Sequence, residues 1–223
     1  MPHFAAGVVR FQQDIYPDKQ AFFERLSKGQ SPEALFITCS DSRIETAMLT
    51  QTEPGDLFIC RNAGNIVPPH SNQTGGMTAS IEFAVAALKV PHIVICGHTD
   101  CGAMKGAMNL DGLAGLPHVR EWLGHSRAAV EIVKALGSDL NEHDRLLMLL
   151  KQNVTLQLQH LRTHPAVAVR LAQGDLELHG WVYDIAEGEV LAVHEATGEW
   201  RRVADHYAAE VAEIVAAAHH HEA

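Results

Sequence analysis

Three short apolar runs constrain this chain more than any other feature: Ala34-Leu35-Phe36-Ile37-Thr38-Cys39, Leu57-Phe58-Ile59-Cys60 and His92-Ile93-Val94-Ile95-Cys96. A strand with water on one side alternates polar and apolar residues, so runs without alternation belong to strands covered on both faces. Between the last two runs, Ile81, Ala84, Val85 and Leu88 mark one face of a helix over Thr78 to Lys89. Strands alternating with helices join by right-handed crossovers into a parallel sheet. Leu176 to Tyr183 reads as a further strand, and Gly188 turns it through a tight hairpin into Val190-Leu191-Ala192-Val193, an antiparallel pair.

The expected fold is therefore α/β, a central mostly parallel sheet of about four parallel strands plus an antiparallel edge strand, flanked by α-helices. An N-terminal helical arm precedes it, with Phe11, Ile15, Phe22, Phe23 and Leu26 at helical spacing, a break at Pro17 and a stop near Gly29. Glu142 to Gln173 reads as helical, with Pro165 opening a second helix, and another helix spans Val203 to Ala218. Asn109 to Pro117 reads as a loop. At 223 residues the chain is expected to form one domain, residues 1–223, comprising the arm (1–29), an α/β core (30–200) and a C-terminal helix and tail (201–223).

Lys and Arg number 17 against 27 Asp and Glu, a net charge of −10 that argues against nucleic acid as the main partner. No segment approaches the ~18 consecutive apolar residues of a membrane span, and no basic-then-apolar leader opens the sequence. Four cysteines in a chain able to build its own core point to a reducing, cytoplasmic setting and to metal binding rather than disulfides. His219, His220 and His221 read as a frayed tail.

Chemistry concentrates at two strand ends. The first run closes in Cys39-Ser40-Asp41-Ser42-Arg43 and the third in Gly97-His98-Thr99-Asp100-Cys101-Gly102. Ligands bind at the carboxyl ends of strands in open parallel sheets, so the two motifs project to one edge. Cys39, His98 and Cys101 offer two thiolates and an imidazole, a set suited to tetrahedral zinc with one position left for water. Zinc lowers the pKa of bound water to ~7 in the known hydrolytic case, making a hydroxide nucleophile available near neutral pH; with two thiolates this water is expected to be less acidic than at a three-histidine site unless neighbours compensate. Asp41 reaches the same place, either to orient that water or as a fourth ligand in a closed state, and Arg43 can clamp its carboxylate. Ser42 with Glu45 reads as a capping box for a following helix. Cys60 and Cys96, inside apolar strands, read as core.

At these residues the chain resembles a β-class carbonic anhydrase. The match takes in Gly29-Gln30-Ser31-Pro32, Cys39 to Arg43, Pro54-Gly55-Asp56, Arg61-Asn62-Ala63-Gly64-Asn65, Gly97 to Gly102 and Gly180-Trp181-Val182-Tyr183-Asp184. The resemblance implies a carbonate dehydratase that reversibly hydrates carbon dioxide to bicarbonate through a zinc-bound hydroxide. It implies Cys39, His98 and Cys101 as zinc ligands, Asp41 and Arg43 as catalytic residues, and Gln30, Phe58, Ala63, Phe83 and Gly102 as substrate-binding residues. It also implies a homodimer or a dimer-based homotetramer with clefts at the subunit interface. A bicarbonate regulatory site in one subgroup uses a Trp, an Arg and a Tyr; here Arg61 and Tyr183 match while Phe36 stands at the Trp position. The same zinc chemistry serves hydrolysis of carbon disulfide or carbonyl sulfide, and a non-catalytic zinc-binding bicarbonate sensor or assembly protein is a further alternative.

Overall fold

The computed structural model describes residues 2–212 and 214. Helix α1 (Pro2–Arg10) passes through one π-helical turn (Phe11–Ile15) into α2 (Tyr16–Leu26). Pro17 therefore does not break the arm. It sits in the first turn of α2, directly after the π-helical turn.

After the arm come β1 (Ala34–Cys39), α3 (Thr46–Thr50), β2 (Leu57–Asn62), α4 (Gly76–Glu82) with a π-helical extension (Phe83–Ala87), and β3 (His92–His98). Helices α5 (Gly102–Met108), α6 (Pro117–Leu123), α7 (Arg127–Leu136), α8 (Glu142–Arg162) and α9 (Pro165–Gln173) follow. The chain then returns through β4 (Glu177–Tyr183), β5 (Val190–His194) and β6 (Glu199–Arg202) to the short α10 (Val203–His206). The strands order as β2-β1-β3-β4-β5-β6, the first four parallel and the last two antiparallel. The antiparallel edge thus has two strands where the sequence pattern gave one. Glu199–Arg202 is too polar to announce itself, because its side chains lie at the solvated margin.

Every residue of β1 is buried, as its unbroken apolar run requires. One face of the sheet carries Leu35, Ile37, Ile93, Ile95 and Val182 under helices that supply Ile81, Val85, Val154, Leu158 and Val167. The opposite face holds the smaller cluster of Phe36, Val94 and Cys96, with Leu49, Leu57, Trp181 and Tyr183 packed against it. Helix α8 seats on the sheet by close approach. Val154 lies over Gly180 of β4 and Gly97 of β3, where added Cβ atoms would stand 2.8 and 3.2 Å from its methyls.

Two local expectations differ. The segment 109–117 holds a 3-10 turn (Leu110–Leu113) and the first residue of α6, since Pro117 opens a helix. The capping box at Ser42 and Glu45 does not form. Glu45 itself is the N-cap of α3, its carboxylate accepting from the Ala47 amide, because residues 41–44 are held in a turn by the side chains described below. The helix expected to Ala218 is described only as α10 and a helical stretch near 208–212. His219, His220 and His221 lie outside the described residues.

Candidate metal centre

β1 and β3 are adjacent and parallel, so Cys39 and His98 end side by side on one edge of the sheet. Cys101 follows at the N-cap of α5, brought back by a turn in which Asp100 adopts a left-handed backbone (φ 59°). The Cys39 Sγ, His98 and Cys101 Sγ ligand atoms lie within 4.8 Å of one another, and all three residues are buried.

The donor set fits a zinc ion on three observations. The Cys39 and Cys101 sulfurs stand 3.9 Å apart; two thiolates on one tetrahedral zinc, each bonded at ~2.3 Å, are about 3.8 Å apart. His98 Nδ1 donates to the Thr99 carbonyl at 2.9 Å, which leaves the lone pair on Nε2. That Nε2 is buried without a hydrogen-bond partner, a costly state in an ordinary core. The thiols titrate as a pair. Proton sharing with Cys101, with smaller help from the Gly64 and Asp41 amides, lowers the first ionisation, placing Cys39 at about 4 despite burial. The resulting thiolate and burial raise the thiol of Cys101. Unlike either, Cys96 is pushed up to about 12 by burial, and Cys60 is raised for the same reason; both remain core thiols.

Asp41 stands beside the cluster, its Oδ2 3.8 Å from His98 Nε2. Arg43 grips it with both arms, Nε to Oδ1 at 2.9 Å and Nη2 to Oδ2 at 2.8 Å, while the Arg43 amide adds a third bond at 3.0 Å. These contacts hold the Asp41 carboxyl well below the usual carboxylate range and raise the Arg43 guanidinium. Arg43 also donates from Nη1 to Asp100 at 3.0 Å, tying the two motifs together, and Asp100 pairs with Lys105.

Several residues build this edge through contacts that the sequence pattern did not assign to them. Arg61 spends its guanidinium on the carbonyls of Cys39, Asp41 and Ile44, fixing the turn that carries Asp41. Asn62 closes a turn onto Ile66 through both atoms of its amide. Gly64 (φ +84°) sits in that turn, where a Cβ would lie 2.7 Å from Met104, and its amide donates to Cys39 Sγ at 3.4 Å. Behind it, buried Asn153 donates to the Gly64 carbonyl and accepts from Ser126 and Gln157, and Gln157 accepts from the Val67 amide. The available signal was Asn153 and Gln157 four residues apart within an apolar helix face.

Phe58 and Phe83 approach with ring centroids 5.9 Å apart, and Phe83 is 47% exposed. Ala63 is exposed, its carbonyl held by Trp122 Nε1 at 2.9 Å. Gly102 is exposed at the start of α5 beside Cys101. Gln30 lies exposed in the coil before β1, away from the side-chain hydrogen bonds of the cluster. Phe36 is buried edge-on against Trp181 at 6.0 Å, so no indole stands at its position.

Comparison with known proteins points in one direction. A family model described as carbonic anhydrase matches residues 34–190. A carbonic anhydrase from Pseudomonas aeruginosa is 49% identical over 200 residues, covering 90% of each chain. The solved structure of the β-carbonic anhydrase CcaA superposes with a TM-score of 0.88 at 43% identity, covering 91% of this chain and 98% of that one. One of two tetrameric β-carbonic anhydrases from Sordaria macrospora matches at 32% identity and a TM-score of 0.69, covering 86% and 93%.

Proposed function

The chain belongs to the β-class carbonic anhydrases, and from that premise we propose that Cys39, His98 and Cys101 hold a catalytic zinc ion at which carbon dioxide is reversibly hydrated to bicarbonate. The buried, unpartnered Nε2 of His98 facing two close sulfurs carries the reading. Zinc held by such a set supplies the Lewis acidity that makes water nucleophilic near neutral pH.

The residues around it set geometry. Arg43 keeps Asp41 ionised and occupies both of its oxygens, so the carboxylate stays off the ligand cluster and the open state is favoured over four protein ligands. An acid this strong is a poor proton acceptor at neutral pH. Asp41 Oδ2 therefore acts by accepting a hydrogen bond from the attacking water and fixing its orientation. Phe58 and Phe83, with ring centroids 5.9 Å apart, together with Ala63 would offer apolar surface to an uncharged, linear substrate, and the Gly102 amide would donate to its oxygen. Gln30 would donate from a neighbouring subunit. The arm supports a dimer or dimer-based tetramer, since Phe4, Val8, Val9, Phe11 and Ile15 are exposed along α1 and the π-helical turn, an apolar stripe that calls for a covering surface.

Asp41→Asn tests the assignment by stopped-flow hydration of carbon dioxide. The expected result is a loss of roughly 100-fold with zinc content unchanged; full activity would remove Asp41 from the mechanism. No described helix is long and apolar enough to cross a membrane.

A further inference from the structure

The amino ends of β3 and β4, the opposite edge of the sheet, carry a second group of ligand atoms. His92 pairs in register with Glu177, and His179 follows two residues later on the same face of β4. His92 Nδ1 lies 3.2 Å from His179 Nε2, and Glu177 Oε2 stands 3.8 and 3.9 Å from those two nitrogens. Two nitrogens bonded to one tetrahedral zinc at ~2.05 Å are about 3.3 Å apart. A plain hydrogen bond between neutral rings would account for the 3.2 Å, but it gives no reason for a carboxylate oxygen equidistant from both nitrogens. The Glu177 side chain is 71% exposed, free to close the remaining half ångström.

The group behind His179 suits a ligand. Its Nδ1 lies 2.9 Å from the Tyr207 hydroxyl, whose oxygen also accepts from Trp181 Nε1 at 3.2 Å. With Nδ1–H donating to Tyr207, the Nε2 lone pair faces His92, and the switch to that tautomer needs no repacking.

We propose that His92, Glu177 and His179 form a second divalent-metal site, of zinc, nickel or cobalt class, remote from the Cys39 cluster. Two imidazoles and a carboxylate are borderline ligands that match this class. His92 and His98 close opposite ends of one strand, so the two sites are roughly 20 Å apart. The ion would pin the entry edge of β3 and β4 and, through His179, the Tyr207 segment that packs behind them.

The test uses the full chain, loaded with zinc at the Cys39 site, carrying His219→Ala, His220→Ala and His221→Ala to remove tail histidines as competitors. Calorimetric titration with cobalt chloride should show one further equivalent per chain. His92→Ala and Glu177→Gln should each weaken it by roughly tenfold or more and leave carbon dioxide hydration unchanged, which reports an intact fold. No further equivalent, or one of unaltered affinity in both variants, overturns the proposal. A variant-free check is anomalous diffraction from crystals soaked in zinc chloride. A peak between His92 Nδ1 and His179 Nε2 supports the site, and its absence refutes it.

Discussion

Gly180→Ala should be the most damaging single-methyl change in the sheet. The added carbon would meet Val154 Cγ1 at 2.8 Å, Val193 Cγ1 at 2.8 Å and Leu158 Cδ1 at 2.9 Å, against an optimum near 3.5–4.0 Å. Two of these neighbours are β-branched and stiff, and they press from both sides, Val154 and Leu158 from α8 and Val193 from β5. The methyl can be accommodated only by moving α8 away from the sheet and displacing Val193 on β5. Overpacking of this kind costs about 1–3 kcal/mol, and three simultaneous contacts place the expectation at roughly 2–3 kcal/mol, a fall in Tm of roughly 5–10 °C for a chain of this size. Val154→Ala alone should cost about 2 kcal/mol in lost burial. In the double variant the clash with Val154 is relieved while those with Leu158 and Val193 remain, so the combined loss should fall short of the sum by about 1 kcal/mol. Thermal unfolding followed by circular dichroism, at one fixed protein concentration, measures all three. Because Asn153 of the same helix holds Gly64 behind Cys39, the single variant should also release metal more readily to a chelator. A Tm within about 2 °C of the parent, or strictly additive losses, would refute the packing argument.

Arg43→Lys retains the charge but not the two-armed grip on Asp41. Hydration should fall roughly 100-fold with zinc content unchanged, and metal loss instead would show that Arg43 serves binding. His160 donates to the Val67 carbonyl and His164 to the Pro68 carbonyl, and burial holds both below the ordinary imidazole value of 6.5. The unfolded chain therefore takes protons that the folded one refuses. Stability is intact above about pH 6.5 and declines as pH drops below it. Urea midpoints across this range should show the decline, and the double variant His160→Asn, His164→Gln, which preserves both donors, should flatten it.

The sheet was legible because β1 and β3 are buried almost throughout and their residues say so without interruption; β2, whose apolar run reads the same way, instead lies at the sheet edge with Ile59 exposed. Convergence of Cys39, His98 and Cys101 followed from strand ends alone once the sheet was parallel. What stayed hidden was hydrogen-bonded. The Arg61 clamp on three carbonyls and the ties of Asn153 to Gly64 and of Gln157 to Val67 depend on partners 17 to 90 residues away, and no local pattern encodes them. The missing capping box has the same origin. Arg43 and Arg61 fix residues 41–44 in a turn, so α3 starts after Glu45 rather than after Ser42. Strand β6 was missed because a margin strand needs no apolar run.

X-ray absorption at the zinc edge, on full-length protein with its tail histidines replaced and one zinc per chain, tests the central claim most directly. Two sulfurs at ~2.3 Å, one imidazole nitrogen at ~2.0 Å and one light non-protein atom are expected, with one sulfur lost in Cys39→Ser. A shell without sulfur, or protein that takes up no zinc at Cys39, His98 and Cys101, would contradict it.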